Sequence, residues 1–226
     1  MKKKILLLLL IVCIISLTGC NRNGDGIKFK SEYESLNGRK TDDGKHKYRS
    51  ISINRKNKIK YADCSDIVKM MKDKKSFVVY FGFDKCPWCR SVLEELIKAS
   101  NDSSIDTVYY VDVYDVRDVK EFSDGKVVTT KEGDTNYMKL VDMMSGVLDD
   151  YTVDDKSMGE KRIYAPNVVA VVNGKADKMT TGISSKLTDP YMKLNKDIRN
   201  YAYKNFKCMM KCVTDSKNVC TKDSKC

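Results

Sequence analysis

The sequence predicts an α/β domain in which a mixed β-sheet is flanked by helices, and three observations predict it. Residues 76–81 are an unbroken apolar, β-branched and aromatic run, the pattern of a strand buried on both faces. Cys86-Pro87-Trp88-Cys89 follows closely and opens a helix that carries Val92, Leu93, Leu96 and Ile97 on one face. Residues 167–172 form a second buried run and end in Asn173-Gly174, the strongest short hairpin signal. A strand–helix–strand unit needs a parallel crossover, whereas a hairpin is antiparallel, so the sheet is mixed.

The remaining elements are placed around these. Residues 29–36 form a short amphipathic segment before the turn pair Asn37-Gly38. Alternation in Tyr48, Ser50, Ile51 and Ile53 predicts a strand, and Ile59-Lys60-Tyr61 another. A helix follows, capped by Asp63 or Ser65, with Ile67, Val68 and Met71 on its buried face. Residues 107–113 read as a strand, 115–135 as a polar connection longer than a minimal domain needs, and 135–148 as a helix. The hairpin partner is expected at 179–183. Asp189-Pro190 is expected to start the last helix, with Pro in its first position, running to about 210 and burying Tyr191, Leu194, Ile198, Ala202 and Phe206. The core order is β-α-β-α-β-β-α, without internal repeats or low-complexity tracts.

Outside this core, the chain reads as three further segments. Met1 is followed by three lysines, an apolar run over 5–15 and Leu17-Thr18-Gly19-Cys20. This is the pattern of a secretory signal over residues 1–19, and the apolar run is shorter than the roughly 20 residues a membrane span needs. Leu-Thr-Gly-Cys looks like the bacterial lipobox, in which cleavage leaves Cys20 to carry diacylglycerol; the alternative is an ordinary cleaved signal. Two acyl chains would hold the protein on the extracytoplasmic face of the cell membrane, since each buried CH₂ contributes about 0.8 kcal/mol. Residues 20–58 are then a polar tether (21–26) and an N-terminal extension, 59–205 the domain, and 206–226 a cysteine-rich tail.

The formal charge is +11. Removing the three leader lysines takes 42 basic residues to 39 against 31 acidic ones, a net of +8. That suits an anionic envelope surface, and no basic stripe interleaved with aromatics points to nucleic acid. Of nine cysteines, Cys13 leaves with the leader and Cys20 takes lipid. The odd remainder, Cys64, Cys86, Cys89, Cys208, Cys212, Cys220 and Cys226, leaves at least one thiol free, exchanging or metal-bound.

The dithiol carries the chemistry. A cysteine at a helix N-terminus meets unsatisfied N–H groups and the positive end of the helix dipole, both of which favour thiolate. Cys86 is thus the expected nucleophile, and Cys89, one turn in, the resolving thiol. Pro87 fits the first turn because it lacks an N–H that would go unused. Lys85 and Arg90 are expected to lower the Cys86 pKa, with Asp84 opposing. Half a zinc knuckle would need a second cysteine or histidine pair nearby, and the only histidine is His46. An inert structural disulfide is the other alternative.

Tyr80-Phe81-Gly82-Phe83-Asp84-Lys85-Cys86-Pro87-Trp88-Cys89-Arg90 resembles the active-site segment of thioredoxin-like proteins. It is especially similar to the bacteriocin-transport-accessory type of Gram-positive bacteria, and its Cys-Pro-aromatic-Cys is similar to that of glutaredoxins. Tyr164-Ala165-Pro166-Asn167 before a strand and hairpin is similar to the family's cis-proline segment. The resemblance implies a cis Pro166, with Ala165 beside the dithiol offering its backbone to substrate, the alternative being a trans proline that starts an edge strand. Trp88 is either an apolar platform for a substrate chain or packed on the neighbouring loop. The chain departs from the family at Tyr80, where thioredoxins carry a buried aspartate; proton transfer from Cys89 then needs another base, water or Asp112.

Cys208 and Cys212, four apart, share a helix face, and Cys220 and Cys226 follow. Export favours two structural disulfides among these four, in any of three pairings. The alternatives are a soft-metal site helped by Met209 or Met210, and a relay to Cys86. The sequence therefore implies a membrane-anchored, extracytoplasmic thiol–disulfide oxidoreductase without cofactor. Its partners would be protein thiols and disulfides of the cell envelope, a membrane redox protein among them. The other classes are a non-catalytic secretion or bacteriocin accessory of the same fold, and a metal-handling lipoprotein.

Overall fold

The computed structural model describes residues 24–215, so Cys13, Cys20, Cys220 and Cys226 lie outside the described residues. The chain runs α1 (Gly24–Ser35), β1 (Ile59–Tyr61), α2 (Cys64–Lys72), β2 (Phe77–Gly82), α3 (Pro87–Asn101) and β3 (Val108–Asp112). It continues through β4 (Val119–Ser123), β5 (Lys126–Lys131), α4 (Thr135–Met144), β6 (Asp149–Val153) and β7 (Lys156–Arg162). It ends with β8 (Asn167–Val172), β9 (Lys175–Thr180) and α5 (Lys196–Thr214). A five-stranded sheet has the order β1-β3-β2-β8-β9. β1, β3 and β2 are mutually parallel, whereas β8 is antiparallel to β2 and β9 antiparallel to β8.

The central strand explains the layering. All of β2 is buried, and its side chains alternate between two cores. Val78 and Tyr80 face α1, α3 and α5 with Phe29, Tyr33, Leu93, Leu96 and Phe206. Phe77, Val79 and Phe81 face α2 and α4 with Ile67, Met71, Leu140 and Met144. Helices therefore cover both faces of a mixed sheet, and each fully buried apolar side chain contributes about 1.5–3 kcal/mol. Asp63 caps α2 in a capping box with Asp66. The β8–β9 turn places Asn173 and Gly174 at φ 49° and 77°, the two positive values a type I′ turn needs. A Cβ on Gly174 would also lie 2.0 Å from the Met71 carbonyl oxygen, so only glycine fits there.

Several expectations are corrected. Residues 48–53 are extended and bury Ile51 and Ile53, but they join no sheet. Tyr48 pairs with the backbone of Gly38 and Arg39, and beyond it side chains satisfy the backbone: Asn37 bonds both the N–H (3.0 Å) and the C=O (2.8 Å) of Ile51, Glu94 accepts from Ser52 N–H, and Glu34 from Ile53 N–H. Gly24–Gly26, assigned to the tether, begins α1, and that helix delivers Phe29 and Tyr33 to the core. The partner of β8 begins directly after the turn, at Lys175 rather than 179.

The last helix starts at Lys196 under an Asn195 cap, not at Pro190. Arg49 holds the preceding segment as a loop by donating to the Pro190 and Met192 carbonyls, which leaves Tyr191 and Leu194 half-buried. The helix also continues to Thr214, so Cys208 and Cys212 are buried within it. Between β3 and β8, the hairpins β4–β5 and β6–β7 were not foreseen. Among the described residues, no helix is long and apolar enough to cross a membrane.

Candidate active site

The dithiol lies where β2 ends and α3 begins. A turn closed by Cys86 N–H to the Phe83 carbonyl (3.2 Å) brings the chain out of the sheet. Cys86 is the N-cap of α3, with Pro87 in the first turn and extended backbone at the cap (φ −68°, ψ 114°). Its Sγ accepts the Cys89 N–H at 3.2 Å, so sulfur takes the place usually filled by a serine or aspartate oxygen. Cys86 is 3% and Cys89 0% exposed, and both are free thiols.

Two environments separate the thiols. Burial raises the pKa of Cys86. Opposing it are the hydrogen bond from the Cys89 thiol, the N–H groups of Cys89 and Trp88 and the charge of Arg117, and the result is a thiol below its ordinary value. Cys89 goes the other way: burial, then its bond to Cys86 and the charge of Cys86, raise it well above the ordinary value. The influence of Tyr80 and of the Phe83 backbone lowers it and only partly offsets this. The pair thus consists of one thiol disposed to ionise and one disposed to hold its proton.

Ala165 completes the centre. The Ala165–Pro166 peptide bond is cis, and the Cys86 thiol donates to the Ala165 carbonyl at 3.3 Å. Ala165 is half-buried and Pro166 buried at the start of β8, directly across from the end of β2. Trp88 is half-buried and packs on the core formed by α3. The structure therefore brings Cys86, Pro87, Trp88, Cys89, Ala165 and Pro166 together from two segments far apart in sequence.

Other expected neighbours are elsewhere. Arg90 turns away from the thiol, 1% exposed, and donates to the carbonyls of Tyr33, Arg49 and Asp84 and to Asn37 Oδ1. Lys85 pairs with Asp42 at 2.8 Å. Asp112 is exposed and accepts the Tyr114 N–H (2.8 Å). Cys64 lies in the opposite core, where burial and then Asp134 and Asp63 push its thiol up to about 12. Cys208 and Cys212 are disulfide-bonded, so neither sulfur serves as a thiolate metal ligand; no metal-ligand cluster occurs among the described residues.

The rim carries residues that sequence alone did not single out. Arg117, between β3 and β4, lies over the Phe83 ring (5.3 Å), and Phe83 in turn packs on Tyr114 (5.0 Å). On another side His46 stacks on Tyr191 (4.0 Å, 6° between planes). Burial, Asp43, Asp189 and finally Cys86 raise the Tyr191 pKa, which places that ring within electrostatic reach of the thiol. Beneath the dithiol, Tyr33 from α1 meets Tyr80, hydroxyl to hydroxyl, at 3.1 Å. Arg117 and Tyr33 are contributed by segments with no local motif, so only the folded geometry identifies them.

No protein-family model matches the chain, and no characterised protein matches it.

Proposed function

We propose that the protein is a thiol–disulfide oxidoreductase of the thioredoxin-like type, anchored by Cys20 to the extracytoplasmic face of the membrane and acting on protein cysteines. One observation carries the reading: a thiol with lowered pKa caps a helix, a buried partner thiol sits one turn on, and a proline-linked carbonyl lies 3.3 Å from the first sulfur. The sheet order, parallel through β1, β3 and β2 and antiparallel at β8 and β9, supports the thioredoxin-like assignment. So does the dithiol's position at the end of the central strand.

In the reducing direction, Cys86 thiolate attacks a substrate disulfide. A Cys86–substrate S–S bond forms, the substrate S–S bond breaks, and one substrate sulfur leaves as thiolate. Cys89 then attacks Cys86 Sγ, releasing the second substrate thiol and leaving the Cys86–Cys89 disulfide, two electrons having passed to substrate. Oxidation of substrate is the same path reversed, and the potential of the couple selects the direction. The Ala165 segment lies where an extended substrate strand would run past Cys86, and Trp88 supplies an apolar surface beside it.

The test is a Cys89→Ala trap expressed in the native envelope. A stable Cys86 mixed disulfide with envelope proteins, absent in Cys86→Ala and released by dithiothreitol, is the expected result. No Cys86-dependent adduct would reduce the protein to a binding module.

A further inference from the structure

We infer that the N-terminal half of α1 and the segment beside it form a docking surface for an anionic bilayer, with Ile27 at its centre. The inference rests on the lipid anchor at Cys20 proposed above and adds what the anchored domain itself does at the membrane.

The chain between anchor and domain is short. Only Asn21-Arg22-Asn23 stand between Cys20 and Gly24, the first residue of α1. Four peptide steps span at most about 14 Å in any conformation. A lipid-bearing Cys20 lies at the bilayer surface, so the first turn of α1 is confined close to that surface.

The face of the protein at this point combines an exposed apolar side chain with cations on both flanks. α1 turns Phe29 and Tyr33 into the core, which leaves Ile27 and Lys28 on its outer side, Ile27 at 43% exposure. Residues 53–57 run back along the helix: the Ile53 N–H bonds Glu34, and the Asn57 amide donates to the Gly26 carbonyl (2.8 Å). Arg55 and Lys56, both exposed, therefore flank the stretch that carries Ile27 and Lys30. Lys28 lies on the other flank, over the Tyr61 ring (4.1 Å), and Lys60 is exposed on the neighbouring edge strand β1.

Three carboxylates share this face, and each is engaged within it. Asp25 accepts the Tyr61 N–H, Glu32 accepts the Tyr61 hydroxyl and lies 3.7 Å from Lys28, and Glu34 pairs with Lys30. The five cations outnumber them, so the face is net positive. An apolar side chain among basic residues settles on an anionic bilayer, the first entering the headgroup boundary and the others meeting lipid phosphates.

Docking makes α1 a spacer. The Tyr33 carbonyl, about 14 Å along the helix from Gly24, accepts from Arg90, the residue after Cys89. The dithiol is then held at a short, fixed height instead of swinging on a tether, which favours substrate cysteines displayed close to the bilayer.

The test uses the lipidated full chain in vesicles of phosphatidylcholine, alone or mixed equally with phosphatidylglycerol. Trp88 is the only tryptophan, so Ile27→Trp in a Trp88→Phe background reports on α1 alone. Brominated lipids are expected to quench this tryptophan about twofold or more strongly in the anionic vesicles. Salt at about 0.5 M, which shortens electrostatic reach to a few ångströms, should remove the difference, and so should Arg55→Glu with Lys56→Glu at low salt.

Equal quenching in the two vesicle types, or none in either, overturns the inference. So does shielding from acrylamide without lipid quenching, which would assign the face to a second copy of the chain. An unsubstituted protein that fractionates as soluble, as Cys20→Ser is expected to, would instead overturn the anchored reading itself.

Discussion

Replacing Arg90 by methionine keeps an apolar stem of similar length but removes every hydrogen bond of the guanidinium. Those bonds run to the Tyr33, Arg49 and Asp84 carbonyls at 2.7–3.1 Å and to Asn37 Oδ1 at 2.8 Å. Asn37 Oδ1 retains the Ile51 N–H, but the three carbonyls lose this donor. A buried acceptor left unmade costs about 1–3 kcal/mol, or about 3–9 kcal/mol for three. Removing a buried charge returns several kcal/mol of desolvation, so the expected net loss is about 3 kcal/mol.

For a protein of this size that corresponds to a fall in Tm of about 6–12 °C. Apart from Asp84, the acceptors belong to α1 and to the 36–54 segment, so the loss should also be local. Thermal unfolding followed by circular dichroism measures the first effect, and limited proteolysis mapped by mass spectrometry the second. Arg90→Lys, a single point charge, should fall between the two proteins. A Tm change under about 2 °C, or unaltered cleavage within 36–58, would refute the idea that Arg90 clamps the N-terminal segment onto the active-site helix.

Four further outcomes are expected. Reduced protein treated with iodoacetamide should alkylate at Cys86 with a rate that rises through a midpoint below the roughly 8.5 of a free cysteine and then levels off. Arg117→Ala should shift that midpoint upward, because a cation favouring thiolate is gone. The buried Arg162–Asp118 pair (3.0 Å, both side chains under a tenth exposed) makes Asp118→Ala costly by about 3–5 kcal/mol in chemical denaturation, while pairing it with Arg162→Met should recover much of the loss. Gly174→Ala should destabilise by more than about 1 kcal/mol, since φ is 77° and the Met71 carbonyl occupies the space.

The parts legible in sequence are those where burial imposes a pattern. β2 and β8 are buried on both faces and read as continuous apolar runs; α3 shows its stripe of Val92, Leu93, Leu96 and Ile97; Asn173-Gly174 marks its turn. The two hairpins between β3 and β8 escaped because β5 is exposed along its whole length, β4 and β6 along most of theirs, and β7 buries only Met158 and Arg162. With so few positions buried, no strand of these hairpins carries a hydrophobic alternation.

Residues 48–53 misled for the opposite reason. Their inward side chains alternate as in a strand, but the N–H groups of Ile51, Ser52 and Ile53 go to Asn37, Glu94 and Glu34, which no periodicity reports. At the site, Cys86, Cys89 and the Ala165-Pro166 pair were readable from local motif. Arg117 and Tyr33 were not, and the expected effects of Lys85 and Arg90 failed because both cations have other partners.

The central claim, that Cys86 and Cys89 form an exchanging couple, is tested most directly by equilibrating the protein in glutathione buffers and measuring the dithiol–disulfide ratio by alkylation and mass spectrometry. The account predicts a single two-electron transition at Cys86/Cys89 within the range of dithiol oxidoreductases, about −270 to −120 mV. A bond that stays oxidised below about −300 mV, as structural disulfides do, or two thiols that never pair, would contradict it.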